Sequence, residues 1–185
     1  MSKTRREPII LRRLCPADRP VLRRWLQDPA VRDAIEDETI DVSRLRETLA
    51  LFESSDPFRD GGLGLLVERA GEPLGLIHFV WINWVSRNAE LIVFVGPSSL
   101  RRSLTALAVV EKVGHAAFRS LNLHKVYAFV YGTNPHALAL FKRLLKEEAC
   151  LRAYVKSPQG YGDVHFFSML ASEYFAATAR TKGRF

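Results

Sequence analysis

The sequence predicts an α+β fold: a mixed, mostly antiparallel sheet of six or seven strands with helices on both faces. First, three apolar stretches between residues 63 and 95 are separated only by short turns, as in an antiparallel meander. Second, the apolar stretch 89–95 leads through a long helical pattern into another at 124–131, and such a crossover makes the two strands parallel. Third, two strand patterns surround a turn near the end of the chain.

Length and composition indicate one globular domain spanning 1–185. The chain is 48% hydrophobic and 25% charged, and we expect residues 1–7 and 176–185 to be frayed basic tails. No apolar stretch reaches the roughly 18 residues that span a bilayer, and no apolar segment of a secretory signal follows the basic N-terminus. Two cysteines give neither metal-ligand spacing nor a disulfide framework. We therefore expect a cytoplasmic protein with no metal and no membrane partner.

Basic residues are in excess, with a formal net charge of +7 and clusters at both ends of the chain. Clustered positive charge favours a polyanionic partner, such as a phosphorylated cofactor, an acidic carrier protein or RNA. A solvated basic surface without a specific partner is the alternative.

The first 62 residues predict one strand and several short helices. An apolar stretch at 8–14 is typical of a strand, and Asp18 can cap a helix with Leu22, Trp25 and Leu26 on its apolar face. The elements expected after the break at Asp28-Pro29 are a helical piece at 30–35, an acidic loop at 37–39, a helix opening at Asp41 or Ser43, and a loop at 54–62.

From residue 63 onward the pattern is mainly that of strands. The expected elements are strands at 63–70, 74–81 and 89–95 with turns at 71–73 and 86–88, a helix at 100–120, a strand at 124–131, a helix from Asn134-Pro135 to about 147, and strands at 151–156 and 163–170 around a turn at 157–160.

The junction after strand 89–95 is the main candidate for an anion site. The strand ends at Gly96-Pro97, Ser98 or Ser99 can cap the following helix, and Arg101 and Arg102 lie in its first turn. A helix N-terminus presents unpaired amide groups and the positive end of the helix dipole. We expect a phosphorylated ligand to bind here.

Three segments carry a family resemblance: LRRLCPADRPVLRRWLQDPAVR at 11–32, RNAEL at 87–91, and Leu151-Arg152 followed by GYGD at 160–163. In this order and spacing they resemble the GNAT superfamily of N-acetyltransferases. They are nearest to the branch of ribosomal-protein N-terminal acetyltransferases and their antibiotic-modifying and small-amine relatives. The resemblance covers nearly the whole chain and implies a three-layer domain with a splayed parallel strand pair at its centre.

The resemblance implies acetyl-CoA or another acyl-CoA as cofactor. The family binds its pyrophosphate on a loop of pattern Gln/Arg-x-x-Gly-x-Gly/Ala, which aligns here with Arg101, Arg102, Ser103, Leu104, Thr105 and Ala106. The central glycine is Leu104, although glycine lets a backbone approach phosphate most closely. Backbone donors remain, and the two arginines can supplement them.

The family holds the acyl group between two splayed strands, usually with a bulge in the first, and these match 91–95 and 125–131. Free amide groups near Phe94 and Val95, next to Gly96, would polarise the thioester carbonyl. Asn134 and Phe141, from the helix after the second strand, complete the cofactor-binding residues that the resemblance implies.

Glu90 is the candidate general base. Its spacing to Arg101 and Ala106 matches family members that use a strand glutamate in this role, and an ammonium acceptor must lose a proton before it attacks. An ion pair with Arg87 or Arg152 is the alternative, structural role. The neighbours expected to raise its pKa by desolvation are Phe79, Trp81 and Trp84.

The usual proton donors are missing. Family members carry a tyrosine or a serine on the helix after Asn134, but those positions are Phe141 and Ala137. A thiolate is a tolerable leaving group because thiols titrate near ~8.5, whereas an oxygen ester would suffer more. His78 is a second candidate base, although a histidine in an apolar strand is more often a core residue.

Acceptor recognition is expected from the segment that follows the first strand and from the last hairpin. Carboxylates there could bind a cationic amine, and aromatic rings could form the sides of its binding site. The candidate residues are Trp25, Asp37, Glu38, Trp84, Tyr161 and Asp163.

The leading hypothesis is acyl transfer from acyl-CoA to a primary amine by direct attack, with an amino sugar, an amino acid or a protein N-terminus as acceptor. A second hypothesis keeps the fold but uses an acyl carrier protein or an aminoacyl-tRNA as donor. A third is a non-catalytic acyl-CoA-binding module, which Leu104, Phe141 and Ala137 favour and Glu90 and Arg101 disfavour. A homodimer is compatible with all three.

Overall fold

The computed structural model describes residues 7–27, 61–95, 103–157 and 160–182. The helices and the loop expected between 28 and 60 lie outside these residues. The described elements are β1 (Ile9–Arg13), α1 (Arg19–Gln27), β2 (Leu63–Arg69), β3 (Glu72–Asn83), β4 (Asn88–Val95), α2 (Ser103–Gly114), β5 (Lys125–Tyr131), α3 (Pro135–Leu144), β6 (Lys146–Ser157), β7 (Gly160–Leu170) and α4 (Ala171–Lys182). None of these helices is long and apolar enough to cross a membrane.

The described strands form one seven-stranded sheet in the order β1-β2-β3-β4-β5-β7-β6. Strands β4 and β5 pair in parallel, and every other neighbouring pair is antiparallel. The parallel pair is parallel because α2 connects the two strands as a crossover. The predicted mixed α+β sheet and its central parallel pair are therefore confirmed.

The two faces of the sheet carry separate cores, because successive strand residues point to opposite faces. On one face, Leu66 and Leu76 pack against Leu22 and Trp25 of α1. The other face carries the larger core, to which α2 and α4 contribute. Its buried members include Leu65, Val67, Ile77, Phe79, Leu91, Val113, Phe118, Val126 and Tyr174.

The turn between β2 and β3 lies one residue earlier than predicted. Ala70 and Gly71 form it, with φ angles of 52° and 77°, and Arg69 pairs with Glu72. Two successive positive φ angles are those of a type I′ turn, whose twist suits a hairpin. Glu72 and Pro73, expected in the turn, are therefore the first residues of β3.

The bulge expected in the first strand of the parallel pair lies instead in its neighbour, β3. Val80 pairs with Glu90, but the next pair is Asn83 with Asn88, so β3 carries one extra residue. Trp81, at the irregularity, has a φ of 54° and is 75% exposed. From Glu90 to Val95, β4 keeps an unbroken register with β3.

The chain between β5 and β7 differs from the prediction at both elements. Helix α3 ends at Leu144 rather than near 147, and β6 begins at Lys146 rather than at 151. Strand β6 pairs on one side with β7 and has two register irregularities. Because most of its residues are exposed, their sequence lacks the apolar alternation that marks a half-buried strand.

Helix α4 was not predicted from the sequence, and it runs to Lys182, through most of the segment 176–185 that was expected to be a frayed tail. It follows β7 directly and buries Tyr174, whose ring lies 5.3 Å from that of Phe118. Phe118 belongs to the π-helical segment His115–Ser120 that continues α2. Tertiary packing on the larger core, rather than local pattern, thus stabilises this helix.

Candidate functional site

The parallel strands β4 and β5 pair over only three positions. Asn88 pairs with Lys125, Ala89 with Val126 and Glu90 with Tyr127. Beyond the last pair, β4 continues to Val95 along β3, and β5 continues to Tyr131 along β7. The two strands therefore form a fork, held on its outer sides and open between its arms.

The inner edges of this fork can bind a ligand through the backbone. Residues 91–95 and 128–131 have no partner strand across the gap, so their inward-facing amide and carbonyl groups are not used in a ladder between the arms. An amide group on β4 can donate to a carbonyl placed in the gap, which is the arrangement that stabilises an oxyanion. The predicted splayed pair thus has a physical basis in the register.

Glu90 lies at the closed end of the fork and is half-buried. Desolvation raises the pKa of its carboxyl above the ordinary value. Within the described residues, the Glu90 carboxylate takes part in no ion pair, because Arg87 donates to Asn122 Oδ1 at 3.4 Å and Arg152 is exposed. This arrangement leaves Glu90 available as a base.

The structure places two of the three neighbours expected to desolvate Glu90 at the larger core and the third at the surface. Phe79 pairs with Leu91 and lies in the larger core, on the face opposite to Glu90. The side chain of Trp81 is mostly exposed, and Trp84 packs against the larger core. The predicted direction of the pKa shift and its cause, desolvation, are confirmed.

His78, the second candidate base, is a core residue. It is 1% exposed, and burial lowers its pKa to about 4. Its ring lies against Gly62, where an added Cβ would approach Nε2 at 3.2 Å. A buried imidazole of low pKa stays neutral at physiological pH, and this one has a packing role.

The predicted phosphate-binding residues are only partly described. Gly96, Arg101 and Arg102 lie outside the described residues. Phe94 and Val95 are the last residues of β4, next to the open end of the fork, and their backbone alone is described. Ser103, Leu104, Thr105 and Ala106 form the first turn of α2, so the backbone at Leu104 is helical despite the missing glycine.

Asn134 and Phe141 have structural contacts in the same region. Asn134 is the N-cap of α3, where its Oδ1 accepts a hydrogen bond of 3.0 Å from the amide of Ala137. The ring of Phe141 lies 5.9 Å from that of Phe167 on β7. Neither Phe141 nor Ala137 can donate a proton, as the sequence indicated.

An apolar cavity of about 110 Å³ lies between α2, α3 and the sheet. Leu91 and Val93 line it from β4, Val126 from β5 and Phe141 from α3. The remaining walls are Val67, Ile77, Val109, Val110, Val113, Gly114, Phe118, Leu140, Leu144, Leu145 and Met169. The cavity offers apolar volume beside the fork and no titratable group.

The predicted acceptor residues that the structure describes lie in different parts of the fold. Trp25 is 4% exposed and packs in the smaller core, and Trp84 lies in the turn before β4, at the closed end of the fork. Tyr161 is 70% exposed at the start of β7, near the open end. Asp163 Oδ1 accepts from the amide of Ala153 at 2.8 Å, and Asp37 and Glu38 lie outside the described residues.

Tyr127 lies next to Glu90 in the sheet, and sequence analysis did not single it out. It pairs with Glu90 at the last position of the parallel ladder, and residues paired in this way share a face of the sheet. Burial and the negative charge of Glu90 raise the pKa of its phenol. No local pattern could single it out, because the register between β4 and β5 is set by the tertiary structure.

Comparison with known proteins identifies this architecture. The family model described as an acetyltransferase (GNAT) domain matches residues 9–144. The uncharacterized N-acetyltransferase p20 of Bacillus licheniformis is 27% identical over 171 residues, covering 91% of this chain and 96% of that protein. The spermidine N(1)-acetyltransferase of Vibrio cholerae is 29% identical over 102 residues, covering 55% of this chain and 58% of that protein.

Solved structures show the same fold. The spermidine N-acetyltransferase of Vibrio cholerae in complex with CoA and spermine superimposes with a TM-score of 0.73 at 24% identity, covering 90% of this chain and 98% of that chain. At this identity the likeness establishes the arrangement of strands and helices.

Proposed function

Since the chain belongs to the GNAT acetyltransferase family and is therefore an N-acetyltransferase that uses acetyl-CoA, we propose that Glu90 is its general base and that a polyamine is its acceptor. The family does not favour the alternatives of a carrier-protein donor, a tRNA donor or a non-catalytic module. The resemblance to ribosomal-protein N-terminal acetyltransferases makes a protein N-terminus the second candidate acceptor.

The position of Glu90 carries the proposal. The carboxylate lies where the two arms of the fork separate, so an amine that attacks a thioester in the gap would meet it there. Its raised pKa, caused by desolvation, makes it a stronger base than an exposed carboxylate. The ammonium form of the amine must lose a proton before the nitrogen lone pair can attack.

The net charge of the chain has opposite effects on the binding of the cofactor and of a cationic acceptor. A net charge of +7 favours binding of the polyanionic CoA moiety, but it repels a polycation at long range. A polyamine therefore needs local carboxylates, and Glu90 is one that no described cation neutralises. The names of relatives in Vibrio cholerae and Escherichia coli, which are spermidine N(1)-acetyltransferases, support this acceptor class.

The experiment measures release of free CoA thiol from acetyl-CoA by the full chain. Spermidine and spermine are compared with a monoamine of similar length, an amino sugar and a short peptide with a free N-terminus. We expect the polyamines to give the highest kcat/KM. Turnover confined to the peptide would replace the polyamine by a protein N-terminus, and binding of acetyl-CoA without turnover on any amine would overturn the proposal.

Glu90→Gln tests the base. We expect kcat to fall by about 10²–10⁴, the usual contribution of a general base, while acetyl-CoA binding measured by calorimetry is unchanged. The matched control is Glu111→Gln on the exposed side of α2, which removes a carboxylate of the same size and should leave kcat unchanged. Equal rates for wild type and Glu90→Gln would remove Glu90 from the mechanism.

A further inference from the structure

A proton donor would assist the reaction, and the two positions of α3 where family members carry one do not supply it. The thiolate that leaves the acyl carbon must be protonated, and Phe141 and Ala137 have no proton to give. Within the described arms of the fork, 88–95 and 125–131, the hydroxyl groups are those of Tyr127 and Tyr131 on β5. Both residues lie at odd positions of the strand and share a face with Glu90.

We propose that Tyr127 protonates the leaving thiolate and that Glu90 returns a proton to it, so that the last pair of the parallel ladder acts as one proton relay. The inference rests on the proposed function of Glu90 and adds a second residue to that site. This donor differs from one on α3, because its phenol comes from β5, the strand that forms one arm of the fork.

The geometry favours Tyr127 over its neighbours. It pairs with Glu90 where the strands separate, whereas Tyr131 is four residues farther along the open arm. Ser168, opposite Tyr127 on β7, already donates its hydroxyl proton to Glu148, which also binds Lys125 at 2.7 Å. Tyr127 thus has the position of a proton donor, whereas the hydroxyl proton of Ser168 is already used in its hydrogen bond to Glu148.

Aromatic packing holds the ring of Tyr127 in place. Its centroid lies 5.4 Å from that of Phe166 on β7 and 6.0 Å, edge-on, from that of Phe129 on its own strand. Such contacts add to the burial of the ring and restrict its rotation. A half-buried phenol beside a carboxylate also keeps its proton at neutral pH, as a donor must.

The bonds and protons balance in this scheme. Glu90 takes the ammonium proton, the freed nitrogen bonds to the carbonyl carbon and loses its second proton to solvent, and the carbon–sulfur bond breaks with its electron pair on sulfur. Tyr127 gives its phenol proton to sulfur, and the Glu90 carboxylic acid gives its proton to the phenolate. The products are the amide and free CoA thiol, and both side chains return to their starting states.

The relay also explains why the pairing with Glu90 matters. A phenol titrates about 1.5 pKa units above a thiol, so transfer from tyrosine to thiolate alone is uphill. A carboxyl ordinarily titrates about four pKa units below a thiol, so a protonated carboxyl that returns a proton to the phenol favours transfer to sulfur, and the raised pKa of Glu90 narrows this difference. A tyrosine remote from Glu90 would lack this driving force.

The test compares Tyr127→Phe with wild type on two donors that differ in the acidity of their leaving thiol. With acetyl-CoA we expect kcat to fall by about 10²-fold or more, a typical contribution of acid catalysis. With an acetyl thioester of an acidic aryl thiol, which needs no protonation to leave, wild type and variant should agree within about threefold. Acetyl-CoA binding, measured by calorimetry, should be unchanged.

Two further variants complete the design. Tyr131→Phe is the matched control on the same strand and face, and it should retain wild-type kcat on both donors. Phe141→Tyr in the Tyr127→Phe background supplies a donor from α3 and should restore part of the lost rate. If Tyr127→Phe does not fold, a fluorinated tyrosine at position 127 keeps the ring and makes the phenol more acidic, which should change kcat with acetyl-CoA alone.

The outcomes separate the two proposals. Loss of turnover in Glu90→Gln, with an equal loss in Tyr127→Phe on both donors, would overturn the relay and keep the base. An effect of Tyr131→Phe equal to that of Tyr127→Phe would also overturn it. No effect of Glu90→Gln would overturn the base and, with it, the relay.

Discussion

The ring of Tyr174 on α4 occupies the space that a side chain at position 114 of α2 would need. A Cβ built on Gly114 would lie 2.3 Å from Cε2 and 2.6 Å from Cδ2 of that ring, well inside van der Waals contact. Glycine in a helix interior ordinarily costs about 1 kcal/mol relative to alanine. Here it lets α4 pack directly on α2, with the Tyr174 hydroxyl donating to the carbonyl of Glu111 at 3.3 Å.

Gly114→Ala should therefore destabilise the protein, although alanine is the better helix former. We expect overpacking to cost about 1–3 kcal/mol, which exceeds the gain in helix propensity. Urea unfolding of wild type and variant measures the difference. In a Tyr174→Ala background the ring is absent, so the same substitution should become neutral or stabilising; destabilisation of similar size in both backgrounds would contradict the contact.

Asp18 should stabilise the fold through its contact with Arg12. The guanidinium donates to both carboxylate oxygens, at 2.7 and 2.8 Å, and its Nε donates to Glu68 at 2.9 Å. These bonds lower the pKa of the buried Asp18 carboxyl from 3.8 to about 2. The shift corresponds to about 2 kcal/mol at neutral pH, so Asp18→Asn should lose an amount of this order.

The pH dependence of that loss follows from the direction of the shift. The pKa of Asp18 is lower in the folded state, so its contribution is complete above pH 4 and is lost as the pH falls from about 4 to 2. Denaturant unfolding at pH 7 and pH 3 should show the deficit of Asp18→Asn shrinking to about half. Glu72→Gln, at the exposed start of β3, is the control and should show no deficit at either pH.

His78 should make the fold sensitive to mild acid. Burial lowers the pKa of this imidazole from 6.5 to about 4, so the unfolded state binds a proton that the folded state does not. Stability therefore falls as the pH drops from about 6.5 towards 4, by about 2 kcal/mol between pH 7 and 5. His78→Gln removes the titrating group, and its unfolding free energy should depend less on pH over this interval.

The exposed His136 on α3 provides the comparison for that experiment. His136→Gln removes an exposed imidazole outside the core and should keep the wild-type loss of stability between pH 7 and 5. Identical pH profiles for His78→Gln and wild type would show that the acid sensitivity has another source.

Glu90 should determine the acidic limb of the activity profile. A general base works in its deprotonated form, and desolvation raises the pKa of this carboxyl above 4.5. The rate kcat/KM should therefore begin to fall, on acidification, at a higher pH than an exposed glutamate would impose. The profile of Glu90→Gln, measured on the residual activity, should lack this limb; an unchanged limb would assign it to another group.

Much of this site follows from local sequence. Apolar stretches with short turns predicted β2, β3 and β4, the crossover through α2 predicted the parallel pair, and the segments of residues 11–32 and 87–91 indicated the family. Glu90 could be proposed as the base because its spacing along one strand and helix is a property of the chain itself. The sequence also showed that the residues at positions 141 and 137, Phe141 and Ala137, cannot donate a proton.

The tertiary structure alone decided where the parallel pairing ends, which strand carries the bulge and which residue faces Glu90. Registers between strands depend on contacts distant in sequence, so no local pattern places Tyr127 beside Glu90 or the extra residue in β3. Helix α4 and the long strand β6 also depend on tertiary contacts, because α4 is stabilised by burial of Tyr174 and β6 by its ladder with β7. Periodicity reports which face of an element is buried, but only packing determines what it is buried against.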